Sequence, residues 1–579
     1  MADTSRRLLI LYGSQTGYAE DVARRISRQA WRRHFTTEVL AMDEADRSLV
    51  FTTEAPVIFV CSTTGQGEEP DNMKKFWRFL LRKSIPGDAL AGLSFAVFGL
   101  GDSSYRKFNF PAKRLFRRLL QLGGTPVVPR GDGDDQHYLG TDGALDPWLE
   151  GLWEELLLKY PMPQPIIPDS VTPDPTFDIS FVDCDVSELH KTESTPENFA
   201  RLTHAERITA EEHFQDVRHF RFELSEPAQW SPGDCLVVRP SNQAKDVEEF
   251  LELVQWTEDA DRPIRVVSRS SMPAWLPQLT TLRWLCTNYL GIAMVPRRSF
   301  FELMAYFGGS ADETEKLQEF ASTQGQDDLH TYCMRPRRTI IEALGDFPKT
   351  RLPLSHVMDI VPSIAERSFS ISSAAAVTPR AVDLTVAIVD YKTMMYKRRV
   401  GLCTQWLKHM HIGTRVPVRF ARGTMGLPQD LETPVIMVGP GTGIAAFMAF
   451  IRHRQHQGAT ANYLFFGCRS HDADYFYREE LESLQSNGVL HLFCAFSRDQ
   501  DHKVYVQHRI RENAATLWPL ISEMGAVVYV SGNANQMPDD VRRAFVDVVK
   551  EQGQVDESEA ELFIDTMVKT RQYQEECWE

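Results

Sequence analysis

The chain has 579 residues, of which 43% are hydrophobic and 25% are charged. The length predicts roughly three or four domains. The proportions are those of a globular protein, and they exclude a largely disordered chain and a fibrous repeat. The formal net charge of −16 argues against a general nucleic-acid binder, which needs a basic surface. The nine cysteines lie far apart without a C-x-x-C pair, so we predict no disulfide framework, zinc ribbon, iron–sulfur cluster or other metal site. Because the chain has neither an apolar signal core nor an apolar run of about 18 residues, we expect a reducing compartment and no membrane anchor.

The first predicted domain covers residues 1–160. Three apolar runs, Leu8–Leu11, Val57–Cys61 and Phe95–Phe98, alternate with amphipathic stretches such as Glu20–Arg33. This alternation predicts a parallel sheet that is wrapped by helices. Six prolines then fall within residues 160–175, which excludes a helix or a central strand there. We therefore predict a stiff, extended linker over residues 161–197.

The rest of the chain predicts two further domains. Residues 198–245 and 351–430 carry the alternating patterns of antiparallel strands, and residues 246–350 between them carry helical periods. From residue 431 to residue 579 the alternation of strands and helices resumes. The predicted order is an α/β domain, a linker, a β domain with a helical insertion, and a second α/β domain.

Each apolar run of the first domain ends in a loop of glycine, serine and threonine, namely GSQTG, STTGQG and GLGDSSY. In a parallel sheet these loops lie together at the carboxyl edge, where ligands bind. The first loop opens a helix, so that its N–H groups and hydroxyls suit a phosphate dianion, and it lacks the lysine of a triphosphatase P-loop. A tight βα turn would explain any single loop. The three loops in register favour a flavin mononucleotide.

The segments SQTGYAE, STTGQGEEPDN and GLGDSSYRKFNF resemble the flavodoxin-like modules of the diflavin reductase family, which is related to cytochrome P450 reductase. The resemblance implies that the FMN phosphate is held by Ser14, Gln15, Thr16, Gly17, Tyr18 and Ala19. It implies that the ring and the ribityl chain are framed by Thr63, Thr64, Gly65, Gln66, Gly99, Leu100, Gly101, Asp102, Ser103, Ser104, Tyr105, Arg106, Lys107, Phe108 and Asp134. Tyr105 stands where the family stacks an aromatic ring on the flavin. Thr64 replaces a second tyrosine of the P450 reductases, so we expect FMN to be lost more easily.

Residues 198–579 resemble a ferredoxin–NADP reductase module, in which an antiparallel β-barrel FAD domain with a helical insertion precedes an α/β NADP domain. The guanidinium of Arg367 would pair with two oxygens of the FAD pyrophosphate. Phe369 would lie against the ring, and the N–H groups that begin the helical stretch after Gly401 would also meet the pyrophosphate. Arg337 matches a further FAD contact, with Arg335 and Arg338 as neighbouring alternatives. The implied FAD residues are Arg337, Arg367, Ser368, Phe369, Ser370, Gly401, Leu402, Cys403 and Thr404.

Residues 435–447, VIMVGPGTGIAAF, predict a strand, a glycine turn and a helix, which a dinucleotide pyrophosphate needs. The G-x-G-x-G spacing is that of the reductase module rather than that of the NAD fingerprint. By the resemblance, two cations and two hydroxyls surround a 2′-phosphate, so NADPH is expected over NADH. The implied coenzyme residues are Thr442, Ser497, Arg498, Lys503, Val504, Tyr505, Val506, Gln507 and Asp540.

The resemblance also implies residues at the site of hydride transfer. The family places a terminal aromatic ring over FAD, which moves aside for the nicotinamide, and Trp578 matches it. P450 reductases surround the reacting atoms with serine, cysteine and aspartate, where this chain has Ser370, Ser531 and Glu576. We therefore expect these four residues to be catalytic.

The resemblance predicts a reductase that passes electrons from NADPH to FAD, to FMN and to a protein acceptor. The compact length and the segment VPRRSFFELMAYF resemble most the branch of the family that serves iron–sulfur protein assembly. The resemblance implies a cytoplasmic location and anamorsin as the electron acceptor. Glu68, Glu69 and Asp71 follow a flavin loop and would form an acidic docking rim. Two alternatives stay open, namely a soluble reductase for a haem protein and a flavin-free flavodoxin-like binding scaffold.

Overall fold

The computed structural model describes residues 6–46, 53, 55–192, 198–269 and 272–578. The chain divides into two compact units, of which the first contains residues 1–195, 241–365 and 392–397. The second unit contains residues 196–240, 366–391 and 398–579. The N-terminal α/β domain and the helical insertion therefore pack into one unit, and the β domain and the C-terminal α/β domain pack into the other.

The first 160 residues form a parallel sheet of order β2–β1–β3–β4–β5, in which β6 also pairs with β4. Alternate residues of β1 point to two cores, because Leu9 and Leu11 belong to one apolar cluster and Leu8 and Ile10 to another. The strand order is that of a flavodoxin-like fold. The elements are β1 (Arg7–Gly13), α1 (Tyr18–Arg32), β2 (Thr36–Ala41), β3 (Val57–Ser62), α2 (Lys74–Leu80), β4 (Ser94–Gly101), α3 (Phe110–Gln121), β5 (Thr125–Pro126), β6 (Gly131–Asp134) and α4 (Asp142–Lys159).

The middle of the chain is a succession of strands and then helices. The strands and the first helix are β7 (Phe177–Phe181), β8 (Asn198–Arg207), β9 (Val217–Leu224), β10 (Cys235–Val238), α5 (Ala244–Leu253), β11 (Pro263–Ser268) and β12 (Leu279–Thr281). The helices that follow are α6 (Leu282–Asn288), α7 (Arg298–Met304), α8 (Ala311–Ala321), α9 (Gln326–Leu329), α10 (Ile340–Asp346) and α11 (Val357–Ile360).

The predicted linker differs from the structure in one respect. Residues 177–181 form β7, which pairs antiparallel with β11, so the extended segment ends before Phe177. The reason is burial, because Phe177, Ile179 and Phe181 pack on the core of the helical insertion. Residues 193–197 of the predicted linker lie outside the described residues.

The second unit contains two sheets. The antiparallel sheet has the order β13–β10–β17–β8–β9–β14, and a single bridge between Ile371 and Leu384 joins its two outer strands. In place of the predicted barrel the structure has a six-stranded antiparallel sheet, and among the described residues only this one pair links its two edge strands. The parallel sheet has the order β20–β19–β18–β21–β22. The elements are β13 (Arg367–Ser370), β14 (Ala381–Ala387), β15 (Asp390–Tyr391), β16 (Arg399–Val400), α12 (Leu402–His409), β17 (Arg415–Ala421), β18 (Val435–Val438), α13 (Ile444–His456), β19 (Asn462–Cys468), α14 (Arg478–Ser486), β20 (His491–Phe496), α15 (Val506–Glu512), α16 (Ala514–Ser522), β21 (Val527–Asn533), α17 (Met537–Gly553), α18 (Glu557–Lys569) and β22 (Tyr573–Trp578).

A membrane-spanning helix needs about 20 mainly apolar residues. Among the helices of the described residues, none combines that length with that apolarity. All nine cysteines are free thiols.

Candidate functional site

The three glycine-rich loops of the first domain meet at one edge of its sheet. The strands β1, β3 and β4 run parallel and in register, so that each loop begins at the same level. Hydrogen bonds then join the loops. The Ser62 hydroxyl donates to the Gly13 carbonyl at 3.2 Å, and the Thr63 N–H donates to the Leu100 carbonyl at 2.8 Å.

The first loop, together with Thr63 of the second loop, fits a phosphate ester such as FMN. The hydroxyl oxygens of Ser14 and Thr63 are buried, and neither has a hydrogen-bond partner within the described part of the chain. Buried hydroxyls normally have partners, so these two are suited to a bound ligand with hydrogen-bonding groups, such as FMN. Gly17 precedes α1 with φ of 84°, a left-handed conformation that glycine adopts without strain. The predicted residues Ser14–Ala19 all lie in this loop and in the first turn of α1.

The third loop is fastened to the end of β6. The Asp134 carboxylate accepts hydrogen bonds from the N–H groups of Ser103 at 2.8 Å and of Gln136 at 3.0 Å. Burial raises the pKa of Asp134, but the hydrogen bonds from Ser103 and Gln136 outweigh burial and hold the pKa below its usual value. The Gln136 amide also donates to the carboxylate of Asp102 at 2.9 Å. Asp134 therefore positions the loop that carries Tyr105.

The second loop shows what Thr64 does in place of an aromatic residue. Its hydroxyl and its N–H both donate to the Glu68 carbonyl, each at 3.1 Å. Thr64 thus closes the loop on itself. The loss of stacking, and with it easier loss of FMN, stays a prediction.

The predicted FAD residues of the second unit lie on β13 and at the beginning of α12. Arg367 is exposed on β13, and it lies close enough to Cys403 to act on the charge of that thiol. Burial raises the pKa of Cys403 to about 12, and the guanidinium of Arg367 opposes this rise. Gly401 directly precedes α12, so the positive end of that helix lies beside the guanidinium. A guanidinium and a helix N-terminus together suit a pyrophosphate.

Two arginines of this region were missed by the sequence analysis. Arg239 and Arg419 both pair with the Glu366 carboxylate, at 2.6 and 3.0 Å, directly beside Arg367. They come together because β13 and β17 both pair with β10. No local pattern marks them, since β13, β10 and β17 are far apart along the chain.

Of the three neighbouring arginines that could contact FAD, Arg335, Arg337 and Arg338, the structure engages Arg338 with other side chains. Arg338 pairs with Asp346 at 2.5 Å and lies over the Tyr332 ring at 4.3 Å, so its guanidinium is engaged. Arg335 and Arg337 are both exposed, and Arg337 has a φ of 54°. Both belong to the first unit, whereas Arg367 belongs to the second.

The glycine turn after β18 is required by close packing. A Cβ at Gly443 would lie 2.0 Å from the Ser531 carbonyl oxygen, so only glycine lets this turn approach β21. The turn leads directly into α13, whose N-terminus suits a pyrophosphate. Thr442 lies within the turn.

The predicted 2′-phosphate residues follow β20 in the same sheet. Arg498, Lys503 and Tyr505 are exposed, and Ser497 is buried. In the described ranges no carboxylate pairs with Arg498 or Lys503, so both cations are available to an anion. Val504 and Val506 are buried beneath this segment.

The structure also joins the end of this segment to α17. The Gln507 amide donates to the Asp540 carboxylate at 3.2 Å. These two predicted coenzyme residues are 33 positions apart in the sequence, and the packing of α15 against α17 brings them together.

Three of the four predicted catalytic residues lie at one edge of the last sheet. Ser531 of β21 is opposite Glu576 of β22, and Trp578 is two residues further along β22. Ser531 is fully buried, and its hydroxyl has no partner among the described residues. The Glu576 carboxylate accepts from the Thr424 hydroxyl at 2.7 Å and from the Thr424 N–H at 3.1 Å. No hydrogen bond within the described residues joins Ser370 to Ser531 or Glu576.

Comparison with known families defines the class of protein. Residues 10–148 match the family model described as flavodoxin, residues 191–406 match the FAD binding domain, and residues 437–543 match the oxidoreductase NAD-binding domain. This combination, together with the loops described above, defines a two-flavin reductase.

Full-length relatives name the family. The chain is 45% identical to the "NADPH-dependent diflavin oxidoreductase 1" of Danio rerio over 99% of each chain. It is 38% identical to the protein of that name from Arabidopsis thaliana over 100% of each chain, and 36% identical to the one from Schizosaccharomyces pombe over 99% of each chain. The chain belongs to the family of NADPH-dependent diflavin oxidoreductases. It is an NADPH oxidoreductase with FMN, FAD and NADPH as cofactors.

Proposed function

We propose that this enzyme delivers electrons from its FMN domain to an anamorsin-like iron–sulfur protein during cytoplasmic iron–sulfur protein assembly. The observation that carries the proposal is the open edge of the first sheet, where Ser103, Ser104, Arg106 and Lys107 are exposed on the loop that holds Tyr105. Electron transfer to a protein needs such an accessible edge. The relation to full-length diflavin oxidoreductases supports the proposal further.

The chain's own residues bind and orient the cofactors. Bound FAD and FMN supply the chemistry that divides a two-electron donor into single-electron steps. Arg498 and Lys503 hold the 2′-phosphate of NADPH, and Arg367 with the N-terminus of α12 holds the FAD pyrophosphate. The buried hydroxyl of Ser14 would hold the FMN phosphate, and that of Thr63 would face the ring and the ribityl chain. Trp578 covers the flavin face that the nicotinamide must reach.

The charge that surrounds the FMN loops includes the three acids of the predicted rim. The Glu68 carboxylate accepts from the Gln66 N–H at 2.6 Å, which braces the loop. Glu69 pairs with Arg114 at 2.8 Å, and Asp71 pairs with Lys74 at 2.7 Å. The three acids are thus engaged within the domain, and a docking rim formed by them stays an untested prediction.

Four of the exposed charges beside the loops are basic, whereas Asp135, directly after β6, is acidic. Lys75 and Arg78 are exposed on α2, and the exposed Arg106 and Lys107 directly follow Tyr105. Charges at the edge of an interface set the rate of association with a partner of opposite sign. The acceptor that we propose therefore docks through acidic side chains.

An anaerobic titration with NADPH tests the proposed acceptor. Oxidised anamorsin and a haem protein are offered separately to the full-length enzyme, and flavin and cluster absorbance are followed together. We expect the cluster to be reduced at a catalytic amount of enzyme. Reduced flavins beside a cluster that stays oxidised would contradict the proposed acceptor, and reduction of the haem protein alone would favour the alternative reductase.

A charge variant tests the docking surface. The double variant Lys75→Gln with Arg78→Gln removes two exposed cations, and we expect slower reduction of the iron–sulfur protein, most of all at low ionic strength. Lys569→Gln with Arg478→Gln removes two exposed cations of the second unit and serves as the matched control. Ferricyanide reduction checks that electron entry is unchanged. Equal rates for all variants at every salt concentration would contradict the basic docking surface.

A further inference from the structure

The loop that holds the FMN phosphate has no cation of its own, but it receives one from the helical insertion. The guanidinium of Arg297 donates to the carbonyls of Gly17 at 2.8 Å and of Thr16 at 3.0 Å. It also lies 5.1 Å from the centre of the Tyr18 ring. Arg297 precedes α7 and is 280 residues away from Gly17 in the sequence.

The two carbonyls belong to the peptide groups whose N–H ends are predicted to bind the phosphate. In a trans peptide the C=O and the N–H point in opposite directions, so a cation at the oxygen lies across the peptide from the N–H. A hydrogen bond at one end of a peptide group polarises the other end. The guanidinium therefore makes the N–H groups of Gly17 and Tyr18 better donors, and it adds a positive charge behind the loop.

A buried ion network holds α7 in this place. The Asp146 carboxylate of α4 accepts from Arg298 at 2.8 Å and from Arg25 of α1 at 2.5 Å. These three side chains are almost inaccessible to solvent. Burial raises the pKa of Asp146, but Arg25 and Arg298 outweigh burial and hold the pKa below its usual value. Asp146 thus stays ionised between its two partners.

A second ion pair acts on the same face. Arg28 of α1 pairs with Glu302 of α7 through two bonds of 3.1 and 2.9 Å. Together with the Asp146 network it joins the FMN domain to α7, the helix that follows Arg297. Arg297 can reach the loop only while this contact is made.

We propose that Arg297 is a positioning residue for FMN, and that it couples retention of FMN to the docking of the FMN domain on the helical insertion. The coupling is reciprocal, because a contact that strengthens FMN binding in the docked state is itself strengthened when FMN is bound. When the domain leaves the insertion, the loop keeps its hydroxyls and N–H groups but loses the guanidinium. FMN is then held less tightly.

The first test compares FMN with riboflavin, which lacks the phosphate. Full-length chain that keeps FAD but is depleted of FMN is titrated with each flavin for the wild type, Arg297→Gln and Arg297→Lys. We expect Arg297→Gln to weaken FMN binding about tenfold and to change riboflavin binding less than about twofold. Arg297→Lys keeps the charge without the two-carbonyl fork, so it should restore part of the affinity.

The FAD content and the thermal unfolding midpoint of each variant check that the fold is intact. An equal loss of affinity for FMN and riboflavin would mean that Arg297 only braces the loop, and would overturn the proposal. Undiminished FMN binding in Arg297→Gln would overturn it as well.

The second test is a double-mutant cycle that separates the cation from the docking contact. Asp146→Asn weakens docking, and we expect it to lower FMN affinity several-fold in the wild type but hardly at all in Arg297→Gln, since the cation is then already absent. If Asp146→Asn does not fold, Glu302→Gln on the same face replaces it. Losses that simply add would show that docking and the guanidinium act independently, and would refute the coupling.

Discussion

Arg498 is the residue on which the choice of coenzyme is expected to depend. It is exposed, and no carboxylate of the described residues neutralises it. A hydrogen bond between charged groups contributes about 1.5–3 kcal/mol, so Arg498→Ala should lower the preference for NADPH over NADH by about ten- to a hundredfold. The measurement is kcat/KM for each coenzyme with ferricyanide as the acceptor.

Arg478→Ala is the matched control for Arg498, because Arg478 is an exposed arginine of the same unit that pairs with Glu482 at 3.1 Å. Exposed pairs of this kind contribute little. If both variants keep the wild-type preference, the 2′-phosphate is bound elsewhere.

Trp578 is expected to affect the binding and release of the coenzyme. Its indole is 37% exposed at the end of β22. If it covers FAD, each turnover must displace it, and that displacement opposes coenzyme binding. Trp578→Ala should therefore raise the affinity for NADH and slow the release of the oxidised coenzyme, as measured by stopped-flow kinetics. Unchanged constants for both coenzymes would exclude the covering role.

The turn between β18 and α13 packs closely against β21, and NADPH binding is expected to depend on this contact. A methyl group at Gly443 would lie 2.0 Å from the Ser531 carbonyl, so Gly443→Ala should force β21 away and weaken NADPH binding at least tenfold. Gly151→Ala is the control, because a Cβ there meets nothing within 4 Å. Within α4 that change should be neutral or stabilise by about 0.5–1 kcal/mol. Tight NADPH binding by Gly443→Ala would mean that the turn tolerates displacement.

The stability that the pairing of β9 with β14 provides is expected to depend on pH, because it includes the buried carboxylate of Asp383. Burial raises the pKa of Asp383, but Arg221 at 2.7 Å and His219 outweigh burial and hold the pKa well below its usual value. A carboxyl with a depressed pKa stabilises the folded state above its unfolded value of about 4, and this stabilisation is lost as the pH falls. Asp383→Asn should lower the free energy of unfolding by about 3 kcal/mol at pH 7 and flatten the loss of stability below about pH 4.

Asp390→Asn removes a carboxylate that pairs with Arg398 at the surface, and it should change the free energy of unfolding little at either pH. The midpoint of thermal unfolding at neutral and acid pH compares the two variants. Equal effects would mean that burial at Asp383 is unimportant.

The two compact units predict the behaviour of the complete enzyme toward its flavins. Each carries its own set of flavin loops, so purified enzyme should release about one FMN and one FAD per chain. Because Thr64 offers no second ring to the flavin, dilution should release FMN before FAD. Chromatography of the flavins released by denaturation measures both. FAD alone after gentle purification, with no FMN rebinding, would contradict the assignment of the first domain.

The sequence was sufficient for β1, β3, β4 and β18 and for the loops that follow them. Apolar runs, helical periods and glycine turns are local signals, and parallel pairing places every such loop at the same edge. For that reason Ser14 and Thr63 lie at one edge of the first sheet, and Thr442 lies in the turn that leads into α13. The segment that carries Arg498 was indicated by the family resemblance and not by a local pattern.

Tertiary structure alone decided which charges meet. The pairing of Glu69 with Arg114, the meeting of Arg239 and Arg419 at Glu366, and the burial of β7 all join segments that are distant in sequence. Arg297 is the clearest case. Its segment, VPRRSFFELMAYF, contributed only to the family resemblance, and nothing in it predicted the contact with the carbonyls of Thr16 and Gly17. Whether a charge is solvated, paired or aimed at a ligand loop depends on which surfaces the packing of the core brings together, and no pattern of neighbouring residues encodes that contact.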